Sequence, residues 1–371
     1  MKKGWLLLAG LLASQFCNAQ GFPWERPLKM TWSGDGITFN VPTIFQDSAG
    51  VPSVVRWRGD TLIAAFQWFR QPDPSPTWDR VAVKFSYDNG QNWTVPAPIV
   101  INGLPPNYQR PFDPTLVQLG GDSLRIYFSS SAGMPPPLLD STVNTYSAVS
   151  TDGINYQFEP GARVDVVDNR VIDPAVIEFG PGWHYLSPAG APQDGAYHYV
   201  TPDGLNFFPV AMITSDAQHN WTGNYMVNSF TELRFYGAGQ NGIWYNASPN
   251  GGVWTGYVNT NILGGDPSVV KVATNSYLMV YVGQPYNVGL AEHQHASSGM
   301  SIVPVPAHDL IRIHGNKNVD RYRVLSVTGA LIQEGRPNNG AIHVDRLPAG
   351  TYLLELTDGT EERTMLRFVK E

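Results

Sequence analysis

The chain has 371 residues, enough for two or three domains, and its 42% hydrophobic and 12% aromatic content supplies ample material for packed cores. Its 37 glycines and 30 prolines, with almost no long run of helical period, predict an all-β chain. A net charge of −7 and a pI near 5.6 argue against nucleic acid and anionic membranes as partners, and favour a neutral or cationic ligand.

Residues 1–19 have the pattern of a secretory signal peptide. Two lysines precede an apolar run from Trp5 to Ala13, which is too short to cross a bilayer and remain there. Cys17 is the only cysteine, and a lipoprotein interpretation would make it the modified residue, but the bulky Phe16 before it is unfavourable for lipidation. With this segment removed, the mature chain has no thiol, so we expect burial and backbone pairing alone to stabilise it.

One recurring phrase is an Asp-Pro pair followed by an apolar run. It occurs at Asp113, Asp173 and Asp266, and Val51-Pro52 repeats it with valine in place of the aspartate. Each copy leads through a short turn containing Gly or Asn into a second apolar run. The phrase therefore predicts a strand, a hairpin and a second strand, repeated along the chain.

A second recurring phrase places Ser or Thr two residues before Asp or Asn, with Gly one or two residues later and an aromatic residue close behind. Its five copies centre on Asp35, Asp88, Asp152, Asp203 and Asn250. The carboxylate or amide can close an Asx-turn, the glycine supplies a positive φ, and the aromatic ring covers the hairpin. The copy at residues 86–93 resembles the Asp-box of sialidases and related propellers, where it joins the third and fourth strands of a blade.

The two phrases alternate at intervals of about fifty residues, which is the period of a four-stranded propeller blade. A degenerate strand near Asn224 fills the longest gap. The first turn precedes the first strand and none follows the last, so segment 28–46 should complete the blade that begins at Asp266. The sequence predicts a five-bladed β-propeller over residues 20–295.

This repeat pattern, over roughly residues 25–295, resembles the five-bladed arabinanases, xylosidases, invertases and levansucrases. The resemblance implies glycoside hydrolysis by a base Asp of the first blade, a supporting Asp and an acid Glu. Val51 stands at the first-blade position, and no Glu opens an inner strand. Glu232 aligns with a second strand and should begin at the opposite face.

The candidate catalytic residues are Asp113, Asp173 and Asp266, which should converge on one funnel and raise each other's pKa. Glycoside hydrolysis needs one protonated and one ionised carboxyl. The alternative is architectural: each Asp caps backbone N–H groups of the neighbouring blade, with Arg110 and Arg170 as ion-pair partners.

Loops at the same face supply candidate substrate-binding residues. Their aromatic faces suit sugar rings and their polar groups suit hydroxyls, although aromatic residues under loop tips can equally be core. These candidates are Trp68, Trp78, Asp79, Arg110, Arg170, His219, Trp221 and Tyr286. Two histidines at 293 and 295 make a weak metal motif. We therefore expect no metal or other cofactor at the site, with a structural calcium ion left open.

After a linker at 296–301 the pattern changes. Residues 302–371 contain short alternating strands that predict a small C-terminal β-sandwich. Three features resemble the C-terminal sorting domain of the type IX secretion system of Bacteroidetes. They are the prolines after Val303, the Leu347–Leu353 stretch and the basic end at Arg367–Glu371. The resemblance implies recognition by that machinery, export across the outer membrane, and cleavage with release or surface attachment.

Three functions remain open. The first is a secreted or surface glycoside hydrolase, and the second is a non-catalytic propeller that binds glycan or protein. The third, a sialidase-like enzyme, needs an arginine cluster and usually six blades, and fits less well. We expect a monomer whose partner is a glycan or another polar ligand, not nucleic acid.

Overall fold

The computed structural model describes residues 26–69, 79–131, 143–284, 301–304, 307–315, 319–326, 330–359 and 363–371. The chain forms two compact units, Met1–Tyr286 and Asn287–Glu371. The all-β class is confirmed: the one helical element in the described ranges is a short 3-10 turn at Pro192–Asp194. No described helix is long and apolar enough to cross a membrane.

Five antiparallel sheets build the first unit, and three of them are runs of consecutive strands. Sheet I is β3 (Ala49–Arg58), β4 (Thr61–Trp68), β5 (Arg80–Ser86) and β6 (Ala97–Pro98). Sheet III is β12 (Ala175–Phe179), β13 (Gly182–Pro188), β14 (Ala196–Thr201) and β15 (Phe208–Pro209). Sheet IV is β16 (His219–Ser229), β17 (Glu232–Gly239), β18 (Gly242–Ser248) and β19 (Tyr257–Asn259).

The other two sheets include strands from elsewhere in the chain. Sheet II is β8 (Phe112–Gln118), β9 (Leu124–Ser131), β10 (Val143–Ser150) and β11 (Asn155–Val164), with β7 (Val100–Asn102) parallel to β11 at its edge. Sheet V is β20 (Gly265–Ala273), β21 (Ser276–Val282), β1 (Leu28–Ser33) and β2 (Thr43–Gln46). Strand β1 pairs with β21 from Leu28 opposite Val282 to Ser33 opposite Tyr277, so the N-terminal segment lies in the sheet that begins near Asp266.

The hydrophobic core of this unit is divided into five clusters, each between two neighbouring sheets. They join sheets V and I, I and II, II and III, III and IV, and IV and V. Because the middle strands have neighbours on both faces, they are apolar on both faces. Strand β4, for example, is buried from Leu62 through Gln67.

The first strand of each sheet, here called an inner strand, contacts the inner strands of its two neighbours. The contacts run β3 to β8, β8 to β12, β12 to β16, β16 to β20 and β20 back to β3. Buried polar side chains cross-link these strands. The bonds are Leu116 N–H to Ser53 Oγ (2.9 Å), Val54 N–H to Ser268 Oγ (2.9 Å), Asn224 Nδ2 to the Pro52 carbonyl (3.1 Å) and Thr115 Oγ1 to Asn224 Oδ1 (3.1 Å). Hydrogen bonding therefore satisfies polar groups that would be costly to bury alone.

In four of the five predicted turns the Asp or Asn Oδ1 accepts the N–H two residues further on, as predicted. At Asp88, Oδ1 instead accepts the N–H of Asn92 at 2.9 Å. At Asp152, for example, Oδ1 accepts the N–H groups of Ile154 (2.9 Å) and Asn155 (2.7 Å), while Ser150 Oγ accepts the N–H of Gly153 (2.9 Å). These bonds favour the ionised carboxylate, and the bond from the Asn155 side chain lowers the pKa of Asp152 to about 2. The turn glycines have φ between 70° and 89°.

Each of these turns packs against the preceding sheet. A Cβ at Gly204 would lie 2.8 Å from Arg125 Nη1 and 3.0 Å from the Tyr127 hydroxyl, both on β9. The Tyr127 hydroxyl also donates a hydrogen bond to the Gly204 carbonyl at 2.6 Å. The turns therefore stabilise contacts between sheets as well as hairpins.

Replacing Gly204 by Ala is expected to destabilise the first unit by about 2 kcal/mol, because a left-handed φ and a steric overlap both oppose the new methyl group. Gly59→Ala is the matched control, since Gly59 has φ 51° and no atom within 4 Å of its would-be Cβ. Chemical denaturation of both variants separates the two effects. Equal losses would show that the turn does not stabilise the contact with sheet II.

The second unit is a sandwich of two sheets. One is β22 (Ser301–Val303), β23 (Leu310–His314) and β26 (Ala341–His343); the other is β25 (Leu331–Gly335), β24 (Val319–Ser326), β27 (Gly350–Asp358) and β28 (Arg363–Lys370). A single cluster that includes Ile311, Ile342, Val324, Leu354 and Phe368 fills the space between them.

Candidate functional site

Three aspartates stand at matching positions where inner strands begin. Asp113, Asp173 and Asp266 have φ of 49°, 52° and 42°, and Val51 has φ 46° at the fourth such position. The pairing register shifts beside Val51, Asp113 and Asp266, which is the signature of a β-bulge. A bulge redirects the side chain out of the normal strand alternation. Because β-branched residues rarely adopt this φ, Val51 shows that the architecture imposes the backbone even without a carboxylate.

The carboxyl cluster, defined as Asp113, Asp173 and Asp266, is linked by a direct hydrogen bond. The Asp173 N–H donates to Asp113 Oδ2 at 3.3 Å. The Asp113 N–H in turn donates to Gln67 Oε1 at 3.5 Å, and Gln67 Nε2 donates to Asp79 Oδ1. Gln67 thereby connects Asp79 to the cluster. Asp113 is the most buried of the three, at 8% exposed.

Burial raises the pKa of all three carboxyls, because a low-dielectric environment disfavours the charged form. It raises the pKa of Asp113 to about 7, although the backbone N–H of Asp173 acts in the opposite direction. The pKa of Asp173 lies well above its ordinary value, through burial and through the charges of Asp113 and Asp266. Burial raises the pKa of Asp266 to about 6, and the charge of Arg26 limits that rise. The three carboxyls are therefore harder to ionise than ordinary aspartates, and the pKa of Asp266, beside Arg26, is raised less than that of Asp113.

Replacing Asp113 by Asn is expected to stabilise the protein at pH 8. A carboxyl whose folded pKa is raised contributes most stability below its unfolded pKa near 4, and loses that contribution as the pH rises through about 7. Since one pKa unit corresponds to about 1.4 kcal/mol, the gain should exceed about 1 kcal/mol at pH 8 and vanish near pH 4. Melting curves at both pH values test this. A variant that is less stable at pH 8 would favour the architectural interpretation.

The two arginines predicted to partner the cluster are both exposed. Arg110 Nη2 is 3.9 Å from Asp79 Oδ2, and half of the Arg110 side chain is exposed. Arg170 is exposed. Among the described residues, the charge that acts on Asp266 is that of Arg26, which the sequence analysis did not single out.

Of the four predicted aromatic residues, the structure describes Trp68 and Trp221, and both pack against cores between sheets. Trp221 is 1% exposed and packs in the core between sheets III and IV, so the prediction that it stacks on a ligand is corrected: sheet packing buries both of its faces. Trp68 is partly buried and packs against the core between sheets V and I. Trp78 and Tyr286 lie outside the described residues, and their predicted roles stay predictions.

His219 is held by its own turn. Its Nδ1 is 2.8 Å from Asp216 Oδ1, which also accepts the N–H groups of Gln218 (2.8 Å) and His219 (3.0 Å). The His219 ring stacks on Tyr257 with 3.8 Å between centroids. These contacts orient the histidine, which is 8% exposed.

A cleft of about 640 Å³ opens between sheets IV and V beside Asp266. Its wall includes Arg26, Gln218, Asn220, Thr222 and Gln240, none of which the sequence analysis proposed. The available signal was the alternation of β16, which places Asn220 and Thr222 on the face opposite His219 and Trp221. Within the described ranges, no group of three or more His, Cys, Asp or Glu side chains is arranged to hold a metal ion.

The fold and the site define an all-β protein of two units, of which the first carries a buried carboxyl cluster and the second is a β-sandwich. Residues 301–371 match the family model described as the secretion system C-terminal sorting domain. The second unit is therefore a type IX sorting domain, as predicted, and the chain is exported, either secreted or attached to the cell surface.

Several solved structures are similar at TM-scores below 0.5. Zg3597, a family 117 glycoside hydrolase of Zobellia galactanivorans, has 10% identity and a TM-score of 0.45, with 71% of this chain and 92% of that chain covered. A GH43_1 enzyme from Xanthomonas citri has 11% identity and a TM-score of 0.45, covering 63% and 87%. A Trypanosoma rangeli sialidase has 12% identity and a TM-score of 0.39, covering 65% and 56%. No curated protein matches the sequence.

Deleting residues 301–371 is expected to leave the first unit folded and to abolish export. The described residues of the five core clusters all belong to the first unit, so we expect its core to form from its own strands. Fractionation of cells and medium, with circular dichroism of the purified fragment, measures both effects. Fusion of residues 287–371 to an unrelated periplasmic reporter is the control and should export it. Truncated protein in the medium would contradict the prediction.

Proposed function

We propose that the first unit is a closed five-bladed propeller that hydrolyses glycans at its carboxyl cluster. The circuit of contacts among β3, β8, β12, β16 and β20 supports the propeller, and the place of β1 and β2 in sheet V supports closure by the N-terminal strands. On this proposal the five Asx-turns are Asp-boxes. The protein matures by loss of its signal peptide and sorting domain, and works as a monomer.

The observation that carries the proposal is a set of three neighbouring carboxyls, linked by the bond from the Asp173 N–H to Asp113 Oδ2, whose pKa values are raised to different degrees. Glycoside hydrolysis requires a protonated acid for the leaving oxygen and an ionised carboxylate as base or nucleophile. Asp173, with the strongly raised pKa, is the proposed acid. Asp266, whose pKa near 6 is held down by Arg26, is the proposed base or nucleophile. Asp113 accepts the Asp173 N–H and positions that segment of backbone.

In the proposed mechanism, the Asp173 carboxyl transfers its proton to the glycosidic oxygen as the bond to the anomeric carbon breaks. The Asp266 carboxylate either removes a proton from the water that attacks the anomeric carbon, or attacks that carbon itself and forms an ester. In the second case the Asp173 carboxylate takes a proton from a water that cleaves the ester, which releases the sugar and the Asp266 carboxylate. Burial around the cluster strengthens both electrostatic effects because it excludes water.

A binding-only propeller is the second candidate, and Val51 favours it. Valine keeps the bulged backbone at the fourth matching position but supplies no carboxylate. A protein that only binds sugars would need hydrogen-bonding groups at the face where the inner strands begin, but not a complete set of acid and base residues.

A glycan array combined with a panel of aryl glycosides tests the two functions. Hydrolysis is supported if the wild-type protein cleaves one class of glycoside while Asp266→Asn binds the same glycan without cleaving it. Binding by both proteins with no cleavage by either would support the second candidate. No binding and no cleavage across both panels would contradict both.

A further inference from the structure

The cleft beside Asp266 is a second polar feature of the first unit, next to the carboxyl cluster. It lies where the start of β16, the end of β17 and the start of β20 meet, so sheets IV and V form its two sides. Its volume of about 640 Å³ falls in the range of small-molecule sites. Asp266 belongs to both the cleft wall and the carboxyl cluster, so the two are continuous.

Side-chain amides dominate the polar wall of the cleft. Gln218, Asn220, Gln240 and Gln284 all line it, together with Thr222. Each amide offers two N–H donors and an acceptor oxygen, and the threonine hydroxyl can do both. Adjacent hydroxyls of a sugar need this alternation of donors and acceptors. Gln240 Nε2 already donates to the Ala217 carbonyl at 3.3 Å, which uses one of its donors within the protein.

The charges of the wall balance. Arg26 and Asp266 are its two charged residues, and they have opposite signs. The field of Arg26 already acts on Asp266, where it lowers the carboxyl pKa. An anionic ligand that bound Arg26 would bring its own charge towards Asp266 and the rest of the carboxyl cluster. The cleft therefore suits an uncharged ligand better than an acidic one.

We propose that this cleft is a subsite for a neutral sugar unit of the glycan, next to the bond processed at Asp266. The proposal rests on the proposed function and adds its substrate class: neutral oligosaccharides, as opposed to glycans of uronic or sialic acids. The amides bind the hydroxyls of this sugar, and the Arg26–Asp266 pair marks the end of the cleft nearest the chemistry.

Gly265 allows the cleft to be blocked with little disturbance of the fold. It lines the cleft next to Asp266, its φ is not in the left-handed region, and a Cβ added there would meet no atom within 4 Å. Gly265→Leu should therefore fill cleft space. Gly120→Leu is the matched control, because Gly120 is exposed on the β8–β9 turn and also has no atom within 4 Å of its would-be Cβ.

The test is calorimetric binding of xylo-, arabino-, galacto- and manno-oligosaccharides to the full chain, with galacturonate and glucuronate oligomers as the charged comparison. We expect the wild type and Gly120→Leu to bind one neutral series, and Gly265→Leu to bind it at least tenfold more weakly with an unchanged melting temperature. Equal binding by Gly265→Leu, or preference for a uronate series, would overturn the proposal.

The outcome also separates this inference from the proposed hydrolysis. In one outcome the wild type binds a neutral series that Gly265→Leu does not bind, and the wild type cleaves nothing. That result supports the cleft proposal and contradicts the hydrolase proposal. If the wild type cleaves a neutral glycan and Gly265→Leu does so with the same KM and kcat, the hydrolase stands and the cleft proposal fails.

Discussion

Replacing Asp173 or Asp266 by Asn is expected to lower the rate of glycan cleavage by about a hundredfold or more, the usual contribution of a general acid or base. Asparagine keeps the size and one acceptor oxygen of the carboxyl but can neither donate an acidic proton nor carry negative charge. Because the loss would fall on the chemical step, kcat should decrease more than KM changes. Steady-state kinetics on the glycoside identified by the panel measure both constants.

The pH dependence of the two variants should differ. In the wild type, activity should rise as Asp266 ionises near pH 6 and fall at higher pH as Asp173 loses its proton. Because the groups are coupled, the two limbs report apparent values of the cluster. Residual activity of Asp266→Asn should lose the acid limb, and that of Asp173→Asn the alkaline limb. Asp122→Asn, at an exposed ion pair of the β8–β9 turn, is the control and should keep both. Retention of both limbs by either cluster variant would remove that residue from the mechanism.

Sequence patterns could predict the repeated elements because each one is encoded locally. In the Ser-x-Asp-Gly turns, the bonds made by the Ser and Asp side chains join groups within about five residues of each other, as at Ser150 to Asn155. The Asp-Pro phrase likewise marks the start of an inner strand. Two signals also predicted the pairing of β1 with β21: the first turn precedes the first inner strand, and no such turn follows the last one.

The parts of the site that the sequence could not reveal depend on contacts between distant segments. Gln67 reaches Asp113 across 46 positions of sequence, and Arg26 acts on Asp266 from the other end of the unit. Trp221 looked like a ligand-stacking residue because it follows a polar loop, yet its alternation along β16 directs it into the core between two sheets. Nothing local distinguishes a tryptophan buried by a neighbouring sheet from one at a loop tip.

The second large effect concerns stability at the contact between sheets II and III. Arg125 on β9 makes a bidentate pair with Glu159 on β11, with Nε to Oε2 and Nη2 to Oε1 both at 2.9 Å. Ser147 Oγ also donates to Glu159 Oε2 at 2.7 Å. The two charged side chains are 9% and 20% exposed, so removal of one leaves a largely desolvated charge on the other.

Arg125→Ala is therefore expected to destabilise the first unit by about 3 kcal/mol, because Glu159 loses its counter-ion while it stays mostly buried. For a unit of this size, that corresponds to a fall in melting temperature of roughly 6–12 °C. Asp122→Ala, which breaks the exposed Arg58–Asp122 pair at 3.1 Å, is the control and should cost less than about 1 kcal/mol. The double variant Arg125→Met with Glu159→Leu should recover part of the loss, since it removes both charges of the pair, although Arg163 then loses its attraction to Glu159. A similar small loss for Arg125→Ala and Asp122→Ala would contradict this prediction, because it would show that solvent reaches Glu159. Packing of the Gly204 turn on β9 would then stabilise the contact between sheets II and III without help from the ion pair.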